Sequence, residues 1–216
     1  MNTHIRYTSF PLATAFLVFF LSMAWIASAF AAPTVPLRGG VTKVKLSGSF
    51  VETLSALEIT PDDIAPGHLS RRGTARFPIP GGGLDFGYAP PAGEIIHTGG
   101  LTLTDKYGTT VGLLNFIIDT TSGELTGQVT ANGDLVARVA LFDLDFADAD
   151  IKSWGNRVLV RNVGVTLSGA AADALNAVFF PDQDPVFPAG FDIGVAKVFF
   201  RLPYHHDFDF EDDDDD

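Results

Sequence analysis

The chain has 216 residues, no cysteine, 14 Lys and Arg against 26 Asp and Glu, a formal charge of −12, and 46% hydrophobic against 19% charged residues. That hydrophobic share supplies one packed core, which a disordered chain lacks. The missing cysteine excludes a disulfide framework, thiolate zinc and iron–sulfur sites and a cysteine nucleophile, and bases scattered along an acidic sequence argue against nucleic acid, which demands clustered Lys and Arg.

Met1 to Ala31 reads as a secretory signal peptide. Arg6 is its only charge, Leu12 to Ile26 is an unbroken run of apolar and small residues, and Ala29-Phe30-Ala31 supplies a cleavage site ahead of Ala32, with Ala27-Ser28-Ala29 as a second. The run is short for crossing ~30 Å of hydrocarbon. Cleavage rather than anchoring is therefore expected, with no membrane span afterwards, and the mature protein is expected to be secreted or periplasmic.

Val41 to Leu46 alternates apolar residues with lysine, the period of a strand with one wet face. From residue 60 to 93, Pro61, Pro66, Pro78, Pro80, Gly81-Gly82-Gly83, Pro90 and Pro91 break any long element. Loops with short strands at Thr74 to Ile79 and Leu84 to Tyr88 are expected there, and so long a loop region is either functional or covers a sheet edge.

Strand chemistry then fills Glu94 to Thr104, Thr110 to Asp119, Glu124 to Thr130, Leu135 to Phe146, Arg157 to Leu167 and Phe191 to Leu202. Thr121-Ser122-Gly123 and Asn132-Gly133 are turn signals, so the three strands from Thr110 to Phe146 form a meander. Between Leu135 and Phe146 the apolar residues switch from odd to even positions, which predicts a bulge or bend near Leu141 to Asp143. Ser168 to Phe180 is the one helix, with Ser168 as N-cap, an alanine-rich start and Pro181 as its stop.

The pattern predicts an all-β domain over residues 32–203, an antiparallel β-sandwich with one short capping helix at about 168–180. Beyond it, residues 204–216 form an acidic tail, with eight of the 26 acids in the last ten residues. Such a run repels itself and is expected to stay solvated and disordered.

Few side chains suggest chemistry. His97 stands at a strand entry followed by Gly99-Gly100, and Tyr88 lies nine residues upstream in the loop-rich stretch. Together they offer imidazole and phenolate donors for a metal or a porphyrin iron, although a single strand histidine is more often a hydrogen-bonded structural residue. His205-His206 beside Tyr204 is a second such cluster. Asp143-Leu144-Asp145 and Asp148-Ala149-Asp150 look like paired carboxylates, yet the turn glycine and bidentate Glu of a calcium loop are missing, and alternation puts Asp143 and Asp145 on a wet face. Gly81-Gly82-Gly83 has no following Lys-Thr or helix to cradle phosphate, and no G-x-S-x-G, H-E-x-x-H or S-x-x-K occurs after the signal peptide. No catalytic residue and no metal cluster is assigned, so an enzyme is not expected.

Three stretches, taken together, resemble the HtaA-type domain, a secreted haem-binding module of Gram-positive actinobacteria and their relatives. They are Leu46-Ser47-Gly48-Ser49-Phe50; Ile95-Ile96-His97-Thr98-Gly99-Gly100-Leu101-Thr102-Leu103; and Val165-Thr166-Leu167-Ser168-Gly169-Ala170 with Ala174-Leu175-Asn176, Phe187-Pro188-Ala189-Gly190 and Gly194-Val195-Ala196. The resemblance implies a non-enzymatic binding module for haem, with an iron-ligating tyrosine near the first strands and a supporting histidine. His97 falls where that histidine would be. The early segment offers Phe50 in place of the tyrosine, which leaves Tyr88 as the displaced candidate. Haem or another apolar small molecule is the expected ligand. The reading from another class is a structural or surface-interaction protein of the cell envelope, with an envelope or surface protein as its partner.

Overall fold

The structure, a computed structural model, describes residues 34–203, all within the unit Ala32–Asp216. The segment expected to be a signal peptide, residues 1–31, and the acidic tail with Tyr204, His205 and His206 lie outside the described residues. No helix among the described residues is long and apolar enough to cross a membrane.

Among the described residues, fourteen strands and two helices follow one another. β1 (Val35–Pro36) and β2 (Gly40–Leu46) lead into α1 (Gly48–Ala56); then come β3 (Thr60–Ile64), β4 (His68–Ser70), β5 (Thr74–Ile79), β6 (Gly81–Asp85), β7 (Ala92–Ile96) and β8 (Gly100–Thr104). The meander β9 (Thr110–Asp119), β10 (Glu124–Ala131) and β11 (Asp134–Asp145) is followed by β12 (Asp150–Trp154), β13 (Arg157–Leu167), α2 (Gly169–Phe179) and β14 (Asp192–Arg201).

Every pairing is antiparallel, in one sheet of order β1-β6-β7-β9-β10-β11-β13-β14-β2-β5-β4, with β12 beside β13 and β8 between β3 and β9. The sheet curls until its halves face each other. The Phe77 ring on β5 meets the Phe116 ring on β9 edge-on at 4.9 Å, and the Thr98 N–H donates to the Pro78 carbonyl at 3.1 Å. The expected sandwich is thus built as a single continuous sheet folded over an apolar interior, in which Leu84, Leu141, Phe187 and Phe200 are fully buried.

The parity switch in β11 has the expected cause. Leu125 pairs with Phe142 and the next residue, Thr126, with Ala140, so Leu141 is an extra residue that turns the remainder of the strand over. A second extra residue, Val136, lies where Val129 faces Ala137 and Thr130 faces Leu135.

The Asn132-Gly133 turn joins β10 to β11 with φ of 52° and 94°, both positive as a type I′ turn requires. α2 starts where expected, the Ser168 hydroxyl accepting from the Ala171 N–H at 3.1 Å. α1 is an addition. Ser47 caps it in the same way, accepting from the Phe50 N–H at 3.1 Å, and the residues entering both helices are Leu-Ser-Gly. β12 is also additional, its residues Asp150 to Trp154 pairing with Arg161 to Arg157.

The run from Glu94 to Thr104 divides at His97 to Gly99. Gly99 has φ of 79°, and a Cβ there would lie 2.2 Å from the Gly67 nitrogen, so only glycine lets the loop after β3 pack against this turn.

Candidate functional site

Three polar side chains are buried among the described residues: Thr42, His97 and Ser168. Two of them bind each other. Thr42 Oγ1 and His97 Nε2 lie 2.7 Å apart.

The fold fixes both ends of this pair. Thr42 stands mid-strand on β2, facing inward, opposite Val198 of β14 on one side and Phe77 of β5 on the other. His97 immediately follows β7, its N–H held by the Phe116 carbonyl at 2.8 Å, and Gly100 must lack a side chain because a Cβ would lie 2.1 Å from the Leu113 carbonyl oxygen. The imidazole is thereby pressed into the interior with 2% of its surface exposed.

Burial pushes the His97 pKa down to about 4, and the carbonyls of Phe116 and Ile95 oppose that only in part. The ring is therefore neutral at pH 7. A neutral imidazole has two nitrogens to satisfy. Thr42 serves Nε2, while Nδ1 has no hydrogen-bond partner of ordinary geometry.

Beside the pair lies a cavity of about 80 Å³ lined otherwise by apolar groups, among them Phe77, Ile95, Phe116, Val163 and Phe200, with Pro90 and Pro91 on its wall. By the ~10–15 Å³ that one water needs it holds several small-molecule atoms, but it is well short of the ~300–1,000 Å³ that encloses a drug-sized ligand.

The two residues proposed for haem fall in different surroundings. His97 lines the cavity. Tyr88 is 61% exposed on the loop between β6 and β7, two residues before Pro90. The hydroxyl beside the histidine is that of Thr42, which sequence reasoning passed over because it marked Val41 to Leu46 only as an alternating strand. The alternation that buries Thr42 was its only signal.

Asp143 and Asp145 are exposed, as the alternation put them, and the Asp145 carboxylate accepts from the Ala147 N–H at 2.9 Å to close a turn. Asp150 pairs with Arg161 across β12 and β13. Gly81-Gly82-Gly83 is strand, in register with Ile96, Ile95 and Glu94 of β7. Among the described residues no group of three or more His, Asp or Glu comes together as a metal site.

Among solved structures, the crystal structure of the C-terminal domain of HtaA from Corynebacterium glutamicum superposes with a TM-score of 0.57 at 16% identity, covering 78% of this chain and 99% of that one. The fold is that of the HtaA C-terminal domain. A domain-swapped dimeric histidine-to-alanine variant of the same HtaA domain aligns with a TM-score of 0.49 at 17% identity over 71% of this chain and 90% of that one. No family model matches the sequence, and no curated protein matches it. The resemblance carried by the Leu-Ser-Gly, His-Thr-Gly-Gly and Phe-Pro-Ala-Gly stretches thus extends to the arrangement of the strands in space.

Haem, the ligand implied by that resemblance, can be tested against the residues present. The His97 Nε2 is engaged by Thr42, the Tyr88 phenol is in water, and the cavity is several times too small for a macrocycle. The interior as built does not fit haem.

Proposed function

We propose that this chain is an exported, non-enzymatic binding module that takes a small apolar molecule into the fold of its sheet beside Thr42 and His97. One observation carries this reading: a cavity with wholly apolar walls lies inside the fold of the sheet, next to a buried, neutral imidazole that Thr42 holds in place. Such a cavity favours an uncharged, apolar ligand, because entry there costs no burial of a charge or of an unpaired polar group. The chain needs no ionised group for this, in keeping with the lack of any assigned nucleophile or base. The HtaA-like fold supports a binding role by analogy only.

The test is titration of the mature protein with 1-butanol, 1-octanol and benzene, followed by two-dimensional NMR. Saturable shifts should appear at Ile95, Phe116, Val163 and Phe200, and Ala196→Leu, which adds volume at the cavity wall, should abolish them. Shifts scattered over the surface, or none, would overturn the reading. Haemin belongs in the same series: a saturable one-to-one Soret change lost in Tyr88→Ala and weakened in His97→Ala would return haem to first place, bound outside this cavity. Export is tested separately by N-terminal sequencing of the released protein, expected to start at Ala32 or, for the other cut, at Phe30.

A further inference from the structure

The outward face of β13, β14, β2, β5 and β4 carries a row of cations that have no acid between them. Lys197 of β14 is directly opposite Lys43 of β2, which is directly opposite Arg76 of β5. Two rows towards the chain end, past Phe199, Arg157 faces Arg201. Like charges placed directly opposite destabilise a sheet, and here they are concentrated in a chain whose total charge is −12.

Nothing among the described residues of the face neutralises them. The ion pairs of the described residues join Lys106 to Glu58, Arg161 to Asp150, and His68, which faces Arg76 from β4, to Asp63. Among the described residues, Lys43, Arg76, Lys197, Arg157 and Arg201 have no carboxylate partner. The remaining acids of this face, Asp143, Asp145 and Asp192, gather at its opposite end, where Thr166 and Gly164 of β13 are their neighbours in register.

The basic end is the end at which β14 stops. Residues 204–216 leave from there and carry eight acids in their last ten positions. Thirteen residues reach up to about 40 Å. Lys197 lies four residues back from Arg201, about 13 Å along the strand, and β5 lies two strand spacings, about 10 Å, to the side of β14. The tail can therefore cover the row with its chain to spare.

We propose that the acidic tail, Asp207 to Asp216, docks on this basic face and masks it. The tail has no apolar area to bury, so the contact is electrostatic and contributes little to folding; its effect is to deny the face to other polyanions. Tethering keeps the tail at a high effective concentration, so a competitor must be multivalent or in excess.

Full-length mature protein and a form ending at Pro203 are compared by amide NMR at about 20 mM salt, where screening is weak. Deletion should move amides of β2, β5 and β14 and leave those of the β9–β11 meander in place. Raising salt to about 0.5 M should produce the same shifts in the intact chain, because the Debye length falls to a few ångströms. The truncated form should bind heparin about tenfold more tightly than the intact chain, and Lys43→Gln with Arg76→Gln and Lys197→Gln should remove that gain. The proposal fails if deletion leaves β2, β5 and β14 unmoved, or if intact and truncated proteins bind heparin equally, in which case the face is open to an external polyanion.

Discussion

Thr42 and His97 are 55 residues apart in the chain and share a 2.7 Å hydrogen bond inside the fold. The bond connects β2 to the turn after β7, strands far from each other along the sheet, and so ties the two facing halves together by a polar contact among apolar ones. Thr42→Val keeps the shape and removes the oxygen, leaving the buried Nε2 of His97 without its partner. Stability should fall by about 1–3 kcal/mol, measured by urea denaturation at pH 7, whereas Thr42→Ser should lose much less.

The same histidine sets a pH dependence. Its folded pKa of about 4 is below the unfolded value near 6.5, so the unfolded chain binds the extra proton first and acid favours unfolding. The stability contributed is fully present above about pH 6.5 and is lost as pH falls towards 4, on the order of 3 kcal/mol in all. Denaturation midpoints taken between pH 7 and pH 4 should show this slope, and His97→Gln should flatten it.

Gly133→Val tests the β10–β11 turn. A Cβ at Gly133 meets nothing within 4 Å, so no clash contributes, and the cost comes from holding a β-branched residue at φ of 94°. A loss of about 1 kcal/mol or more is expected in the melting curve. Gly133→Asn, which accepts positive φ, should recover part of it.

Ser47 and Ser168 perform the same double task. Each caps a helix and donates its hydroxyl to a strand carbonyl, Ser47 to Asp192 at 2.9 Å and Ser168 to Ala140 at 2.7 Å. Ser168 is buried and Ser47 is not. Alanine at either position should cost about 1 kcal/mol for the cap, and Ser168→Ala more, because the Ala140 carbonyl then loses its partner away from water. Thermal unfolding of the two single variants ranks them.

The long strands were legible from their runs of apolar and β-branched residues, and β9 and β13 have the boundaries those runs predict, although each changes parity at an asparagine of positive φ, Asn115 and Asn162. Even the irregularity of β11 could be read, since an extra residue leaves a parity switch in the sequence. α1 was hidden by its composition, as Gly48, Ser49 and Thr53 are poor helix formers. Its cue was the Leu-Ser-Gly it shares with α2. The site was half legible: His97 drew notice as a rare titratable residue, while Thr42 looks like any strand threonine until the sheet curls and brings β2 opposite the end of β7. That pairing arises from tertiary closure, which local periodicity does not encode.

The neighbours of β2 have a consequence for how the domain is made. β2, the first long strand, is hydrogen-bonded to β14, the last. Until residue 201 has left the ribosome, β2 and β13 each lack a neighbour and the interior cannot close. Pairings across so much intervening chain make for slow folding, since the loop entropy is lost before the contacts repay it. The interior of the domain is therefore completed only once its last long strand has been made.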